Sequence, residues 1–103
     1  MDLDLCSKAF GFSPTQVTYQ IQHALAIYGG SNIQSSRIMF PNGQIDPWQA
    51  NGVLESPNAD EPVLMVEGAS HHFWTHPSLP TDSAPVQAAR EAIWKQVSDW
   101  LAL

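Results

Sequence analysis

Two short apolar runs, each ending in a turn that carries one chemically active side chain, constrain this chain more than anything else in it. The first is Arg37 to Phe40, followed by the breaker residues Pro41-Asn42-Gly43. A single acid, Asp46, lies just beyond and is pinned by Pro47 and Trp48. The second is Pro62-Val63-Leu64-Met65-Val66-Glu67, which runs into Gly68-Ala69-Ser70-His71-His72. Apolar runs of this length between turn signals read as strands. A run apolar at nearly every position, such as Val63 to Val66, suits a strand covered on both faces, as in a parallel sheet. Asp46 and His71 then follow successive strands, at the carboxyl edge of one sheet, where open α/β sheets bind ligands.

The helices are marked by their ends. Ser13-Pro14-Thr15-Gln16 predicts a start: Ser13 can cap, proline suits the first helical position, and Gln16 completes a capping box. Val17, Ile21, Leu25 and Tyr28 form one stripe, and Gly29-Gly30 stops the helix. A last helix is predicted from Ser83 or Ala84, with Pro85 tolerated in its first turn. Val86, Ala89, Ile93, Val97, Trp100 and Leu101 make its apolar stripe, with Arg90 and Lys95 on other faces. Residues 1–12 show little pattern. Residues 49–61 read as a short helical turn and a surface loop, and Phe73 to Pro80 as a loop punctuated by proline.

Two strands and two helices leave the strand edges open and the strand faces without cover. The expectation is therefore part of a larger α/β fold. The composition agrees: 44% of the 103 residues are hydrophobic but only 14% are charged, so much of the surface is expected to be covered. Ten acids against four bases, a net charge of -6, argue against a nucleic-acid partner, which requires a basic face. No apolar run reaches the roughly 18 residues of a membrane span. The start Met1-Asp2-Leu3-Asp4 is acidic, the opposite of a signal peptide's basic beginning. Cys6, the one cysteine, is either a buried free thiol or half of a bridge whose partner lies outside this chain.

An acid after one strand and a histidine after the next, then a helix, match the end of an α/β-hydrolase, whose triad runs Ser, then Asp or Glu, then His. In such a triad the acid fixes the imidazole's tautomer, and the histidine moves the serine's proton. The spacing alone also fits Asp46 as the cap of a helix beginning at Pro47. His71 and His72 compete for the role of base, since neighbouring side chains point differently. His72 and His76, four apart, have a spacing that can ligate zinc on a helix. Pro77 favours an extended His76, however, and no third ligand is near, so no metal is expected. His23 reads as structural or exposed. Trp48 and Trp74 either wall a pocket or pack in a core, and Trp94 and Trp100 read as core. No Gly-x-Ser-x-Gly elbow is present, and Ser70 merely adjoins His71.

Phe40-Pro41-Asn42-Gly43-Gln44-Ile45-Asp46-Pro47-Trp48 resembles the Asn-Gly-x-x-Asp-Pro-Trp motif of the serine carboxypeptidase family that holds lysosomal Pro-X carboxypeptidase, dipeptidyl peptidase II and thymus-specific serine protease. Glu67-Gly68-Ala69-Ser70-His71-His72 is similar to that family's Gly-Ala-His-His or Gly-Ser-His segment, with Ser70 as a departure. The tail from Pro77 to Ser83, Ala89-Arg90, Trp100-Leu101, Tyr28-Gly29-Gly30 and Cys6 to Phe12 extend the resemblance over nearly the whole chain. The resemblance implies the C-terminal portion of an α/β-hydrolase, with residues 1–30 ending a helical cap region and 31–103 belonging to the hydrolase domain. It implies a serine exopeptidase acting next to proline, with Asp46 as triad acid, His71 as base and Trp48 walling the pocket for the residue before the cut bond. The implied partners are a proline-containing peptide and the N-terminal part of the same fold. No cofactor is implied, and the location is lysosomal, vacuolar or secreted. A non-catalytic fragment or interaction module is the alternative, and another α/β-hydrolase such as a lipase a third reading.

Overall fold

The computed structural model describes residues 3–102, leaving aside the side chains of Leu3 and Cys6. The pairing of the Cys6 thiol therefore lies outside the described residues. The chain divides into two compact units between Gln34 and Ser35.

The first unit holds two helices, α1 (Leu3–Phe10) and α2 (Pro14–Tyr28). α2 has the predicted ends. Gln16 N–H donates to the Ser13 hydroxyl, and Ser13 N–H donates to the Gln16 side chain at 2.8 Å, which satisfies two of the four amides left free at a helix start. At the other end Gly29 takes a left-handed conformation, φ 82°, and its N–H closes on Leu25 O. The stripe Ile21, Leu25 and Tyr28 is exposed. α1 was not expected from the sequence. It is a short helix closed by Gly11, which has φ 72° and donates its N–H to Ser7 O, and it carries Asp4 in its first turn and Lys8 in its last, where each charge complements the helix dipole.

The second unit runs β1 (Phe40–Gly43), a 3-10 turn (Gln49–Asn51), β2 (Val63–Val66), a second 3-10 turn (Phe73–Thr75) and α3 (Ala84–Leu101). β1 and β2 pair in parallel, Phe40 opposite Val63 and Gly43 opposite Val66. β2 lies as predicted, but β1 sits three residues later than the sequence suggests. Arg37 has φ 58°, incompatible with a strand, and Pro41-Asn42-Gly43 lie inside the strand rather than in a turn. The hydrogen bonds explain how. Phe40 N–H donates to Pro62 O and Gln44 N–H to Val66 O, so the even-numbered residues face β2. Pro41 then falls on the opposite edge, where its missing N–H breaks no bond to β2.

Val66, Ala69, Val86 and Ala89 form the buried core, with Leu64 and Trp74 packed against it. α3 thus buries the N-terminal part of its stripe on β2 and the loop that follows. Further along the stripe Ile93 is half-buried, and Val97 and Leu101 are exposed. Trp94, expected in the core, is 74% exposed, because it lies off the face that carries Val86 and Ala89. Trp100 is half-buried.

Candidate active site

The loops that leave β1 and β2 are tied to one another by backbone and side-chain bonds. Ile45 N–H donates to Ala69 O, and Gly68 N–H donates to the Gln44 side-chain oxygen at 2.9 Å. Gly43 lies flat against the second loop. A Cβ there would come within 2.5 Å of both Ala69 O and Ser70 O, closer than any side chain tolerates, so only glycine allows this approach. These contacts bring the two predicted polar residues together: His71 Nδ1 lies 2.7 Å from Asp46 Oδ2.

No helix begins at Pro47, since the 3-10 turn starts at Gln49 and has no side-chain cap, and Asp46 braces its own turn instead. Oδ1 accepts the N–H of Trp48 at 2.8 Å, an Asx turn that fixes the carboxylate, and Oδ2 is left for the histidine. The Asp46 side chain is 9% exposed, whereas that of His71 is 56% exposed. The hydrogen bond to His71 holds the Asp46 carboxyl below the ordinary carboxylate range. Partial burial opposes this, while the Trp48 amide and the charges of His71 and His72 add to it. An ionised carboxylate only accepts, so it selects the His71 tautomer with its proton on Nδ1. Nε2 is left with its lone pair, as a general base requires.

His72 is turned elsewhere. Its backbone is left-handed, φ 42°, an uncommon state for a residue with a side chain. Its Nδ1 lies 3.1 Å from Thr75 Oγ1, while the Thr75 hydroxyl donates to His72 O at 2.8 Å. The single hydroxyl proton is thereby used, and the imidazole donates. Of the adjacent pair, His71 is the one that faces the acid. His76 is extended, ψ 157°, and its ring stacks on that of His72 at 6.0 Å. His23, on α2, is exposed and stacks on Tyr19.

A shallow cleft of about 270 Å³ opens beside the pair, lined by Asp46, Trp48, Asn51, His71, His72 and Trp74 among others. Trp48 is 63% exposed, so it is free to meet a ligand and is not core. Trp74 is half-buried: one part packs on the core and another lines the cleft.

Comparison with known proteins places this geometry in a context. The family model for serine carboxypeptidase S28 matches residues 1–93. The chain belongs to that family. It is 35% identical over 99 residues to the thymus-specific serine protease of Mus musculus, covering 96% of this chain and 19% of that protein. Identity to the human thymus-specific serine protease is 32% over 101 residues, covering 98% and 20%. The lysosomal Pro-X carboxypeptidase of Bos taurus is 29% identical over 100 residues, covering 96% and 19%. The chain spans about a fifth of the length of these curated relatives.

Within this S28 segment the structure also shows supports that the sequence reading passed over. The Asn42 amide donates to Phe40 O at 3.1 Å and to Val53 O at 2.9 Å, which fastens the strand to the loop behind Trp48. The Gln49 amide donates to Gly43 O at 3.0 Å. Asn42, Gly43, Gln44 and Gln49 all lie in or next to the Asn-Gly-x-x-Asp-Pro-Trp stretch. The signal for them was polar and glycine residues crowded at a strand end, where free carbonyls need partners.

Proposed function

We propose that this segment supplies the acid, Asp46, and the base, His71, of a Ser-Asp-His triad in a serine exopeptidase that cuts next to proline. The nucleophile and the oxyanion donors come from another part of the same α/β-hydrolase domain. The observation that carries the reading is the 2.7 Å contact between His71 Nδ1 and Asp46 Oδ2, with Oδ1 already engaged by the Trp48 amide. Such a pair leaves Nε2 able to take a proton from a serine hydroxyl and return it to the leaving amine. Trp48, open beside the pair, offers a flat apolar wall to the residue before the cut bond, and a proline ring suits it. In this reading residues 1–30 end a helical cap region and residues 31–103 belong to the C-terminal part of the hydrolase domain. The location is lysosomal or secreted; the name of one relative says lysosomal of that relative.

The test uses the full-length polypeptide that carries this segment, assayed on X-Pro peptides, on peptides without proline and on short-chain esters. Serine-phosphonate inhibition together with preferred turnover of X-Pro peptides is the expected result. Turnover of esters alone points to a lipase-like hydrolase, and no turnover at all points to a non-catalytic module. Either outcome refutes the proposal.

A further inference from the structure

Arg90 lies on α3 four residues after Val86 and three before Ile93, on the apolar face and not on another face as the sequence suggests, and the reaction as described gives it no part. Its side chain is nevertheless only 19% exposed, and it gathers one loop from four directions. Nε–H donates to Trp74 O at 2.9 Å. Nη2 donates to His76 O at 3.2 Å. Nη1 pairs with the carboxylate of Asp82 and reaches Ser78 Oγ at 3.5 Å. Asp82 is itself anchored, since its Oδ2 accepts Leu79 N–H at 2.8 Å and its carbonyl accepts the Gln87 amide at 2.7 Å. The forked, planar guanidinium can meet two carbonyls and a carboxylate at once; a lysine ammonium on its flexible stem is one point charge.

What this clamp holds bears on the cleft. Trp74 is three residues past His71, packs on the core and lines the cleft beside Asp46 and Trp48. Its main-chain carbonyl is the atom that Arg90 Nε–H engages. We propose that Arg90 is a positioning residue. By holding the carbonyls of Trp74 and His76 it fixes the wall of the cleft next to His71, and so sets the affinity for the substrate residue that enters there. This rests on the peptidase reading above and adds to it a control of binding from α3. Arg90 touches neither Asp46 nor His71, so the clamp acts on the shape of the cleft and leaves the acid–base pair intact.

The test compares Arg90→Ala and Arg90→Lys with the parent in the full-length polypeptide, well below the unfolding temperature of each. A misplaced apolar wall costs roughly tenfold in binding. The expected result is a KM for an X-Pro peptide raised about tenfold in Arg90→Ala, with kcat within about threefold of the parent. Millimolar ethylguanidinium is expected to restore KM in Arg90→Ala. Arg90→Lys is expected to keep the pairing with Asp82 and still show the raised KM. The rate of serine phosphonylation by a small fluorophosphonate, which does not fill the cleft, is expected to stay near the parent value. A lowered unfolding temperature with unchanged KM, or a lost kcat with KM constant, overturns the proposal. The 19F resonance of Trp74 in protein labelled with 5-fluorotryptophan is read alongside. It is expected to move in Arg90→Lys, and an unmoved signal also overturns the proposal. If the parent itself turns over no peptide, the peptidase reading fails, and the Trp74 resonance still decides whether Arg90 holds the wall.

Discussion

Replacing Asp46 by asparagine changes two atoms' chemistry and almost no shape, so its effect can be worked out from the hydrogen bonds. Oδ1 of Asp46 accepts the Trp48 amide at 2.8 Å. A backbone N–H can only donate, so in Asp46→Asn the carbonyl oxygen of the new amide must stay on that side. The NH2 group then faces His71 Nδ1 across the 2.7 Å now spanned by Oδ2. Flipping the amide would set two donors against each other at Trp48. His71 Nδ1 must therefore become an acceptor, and the imidazole proton moves to Nε2, the nitrogen that has to receive the serine's proton in the proposed triad. In a Ser-His-Asp triad this wrong tautomer lowers kcat by roughly 10⁴ with the geometry intact. Asp46→Ala removes the carboxylate without enforcing either tautomer. The asparagine variant, though closer in shape, is thus expected to be no more active than the alanine variant. The assay is turnover of an X-Pro peptide by the full-length polypeptide, together with 15N chemical shifts of His71, which report the tautomer without any turnover. An asparagine variant within about tenfold of the parent's kcat, or a His71 that keeps its proton on Nδ1, would refute the reasoning.

Three further outcomes follow from the same contacts. His71→Gln is expected to lower kcat by about 10³ or more, and His72→Gln by less than about tenfold, because His72 is held by Thr75 and faces away from Asp46. Steady-state kinetics on both variants check this, and reversed sensitivities would reassign the base. Gly43→Ala puts a Cβ within 2.5 Å of two carbonyl oxygens. Overpacking of that kind costs about 1–3 kcal/mol, so a drop of several degrees in Tm is expected together with a loss of kcat; a variant with unchanged Tm and kcat would contradict the close approach. The Leu79 amide, and after it Arg90, hold Asp82 below the ordinary carboxylate range against some burial. A depressed folded-state value stabilises the fold above the unfolded value of about 3.9 and ceases to do so as pH falls through the lower folded value. Asp82→Asn should therefore lower Tm at neutral pH and converge on the parent in acid, and a difference constant across that range would refute the linkage.

Much of this was legible from residue order alone, and the exceptions have physical causes. α2 was readable because its ends carry their own chemistry, Ser13 with Gln16 and Gly29 with Gly30. β2 was readable because four apolar residues stand between breakers. β1 was misplaced because proline and glycine ordinarily interrupt a strand. Here Pro41 turns its ring nitrogen away from β2, and Gly43 is needed for close approach, and both facts depend on the partner strand and loop. α1 is short, and its signals are the charge order of Asp4 and Lys8 and the stop at Gly11, which closes on Ser7 O. Trp94 read as core because tryptophan is usually buried, but burial on α3 is decided by what β2 offers, and that covers little beyond Val86 and Ala89. At the site the sequence left His71 and His72 undecided. Neighbouring residues in a loop carry no periodicity to separate them, and the choice is made by the left-handed turn at His72 and its bond to Thr75. The positioning role proposed for Arg90 was not legible, because the contacts that carry it go to the main-chain carbonyls of Trp74 and His76, which no side-chain pattern records.

The contacts that hold Asp46 against His71 are nearly all polar, some of them local to the first loop and others reaching across to the second. The Asx turn at Trp48, the Gln49 amide on Gly43 O, the Asn42 amide on Phe40 O and the Gln44 oxygen on Gly68 N–H each join a motif side chain to a nearby main chain or to the facing loop. The apolar core under them consists, among the described residues, of two valines and two alanines with Leu64 and Trp74 at its border. Hydrophobic burial is non-directional and could not set a 2.7 Å contact by itself. Hydrogen bonds to fixed main-chain atoms can, because each has a narrow range of distance and angle. This explains why the stretch from Phe40 to Trp48 is dense in Asn, Gly, Gln and Pro where a strand would ordinarily carry branched apolar residues. It also predicts a division of effects. Substitutions in the small core should lower stability with the pair's geometry kept in the molecules that remain folded, whereas substitutions at Asn42 or Gln44 should disturb the pair in molecules whose stability is little changed. A series in which kcat and Tm fall in fixed proportion across both groups would mean that the polar ties merely add stability and that the alignment of His71 with Asp46 comes from the core after all.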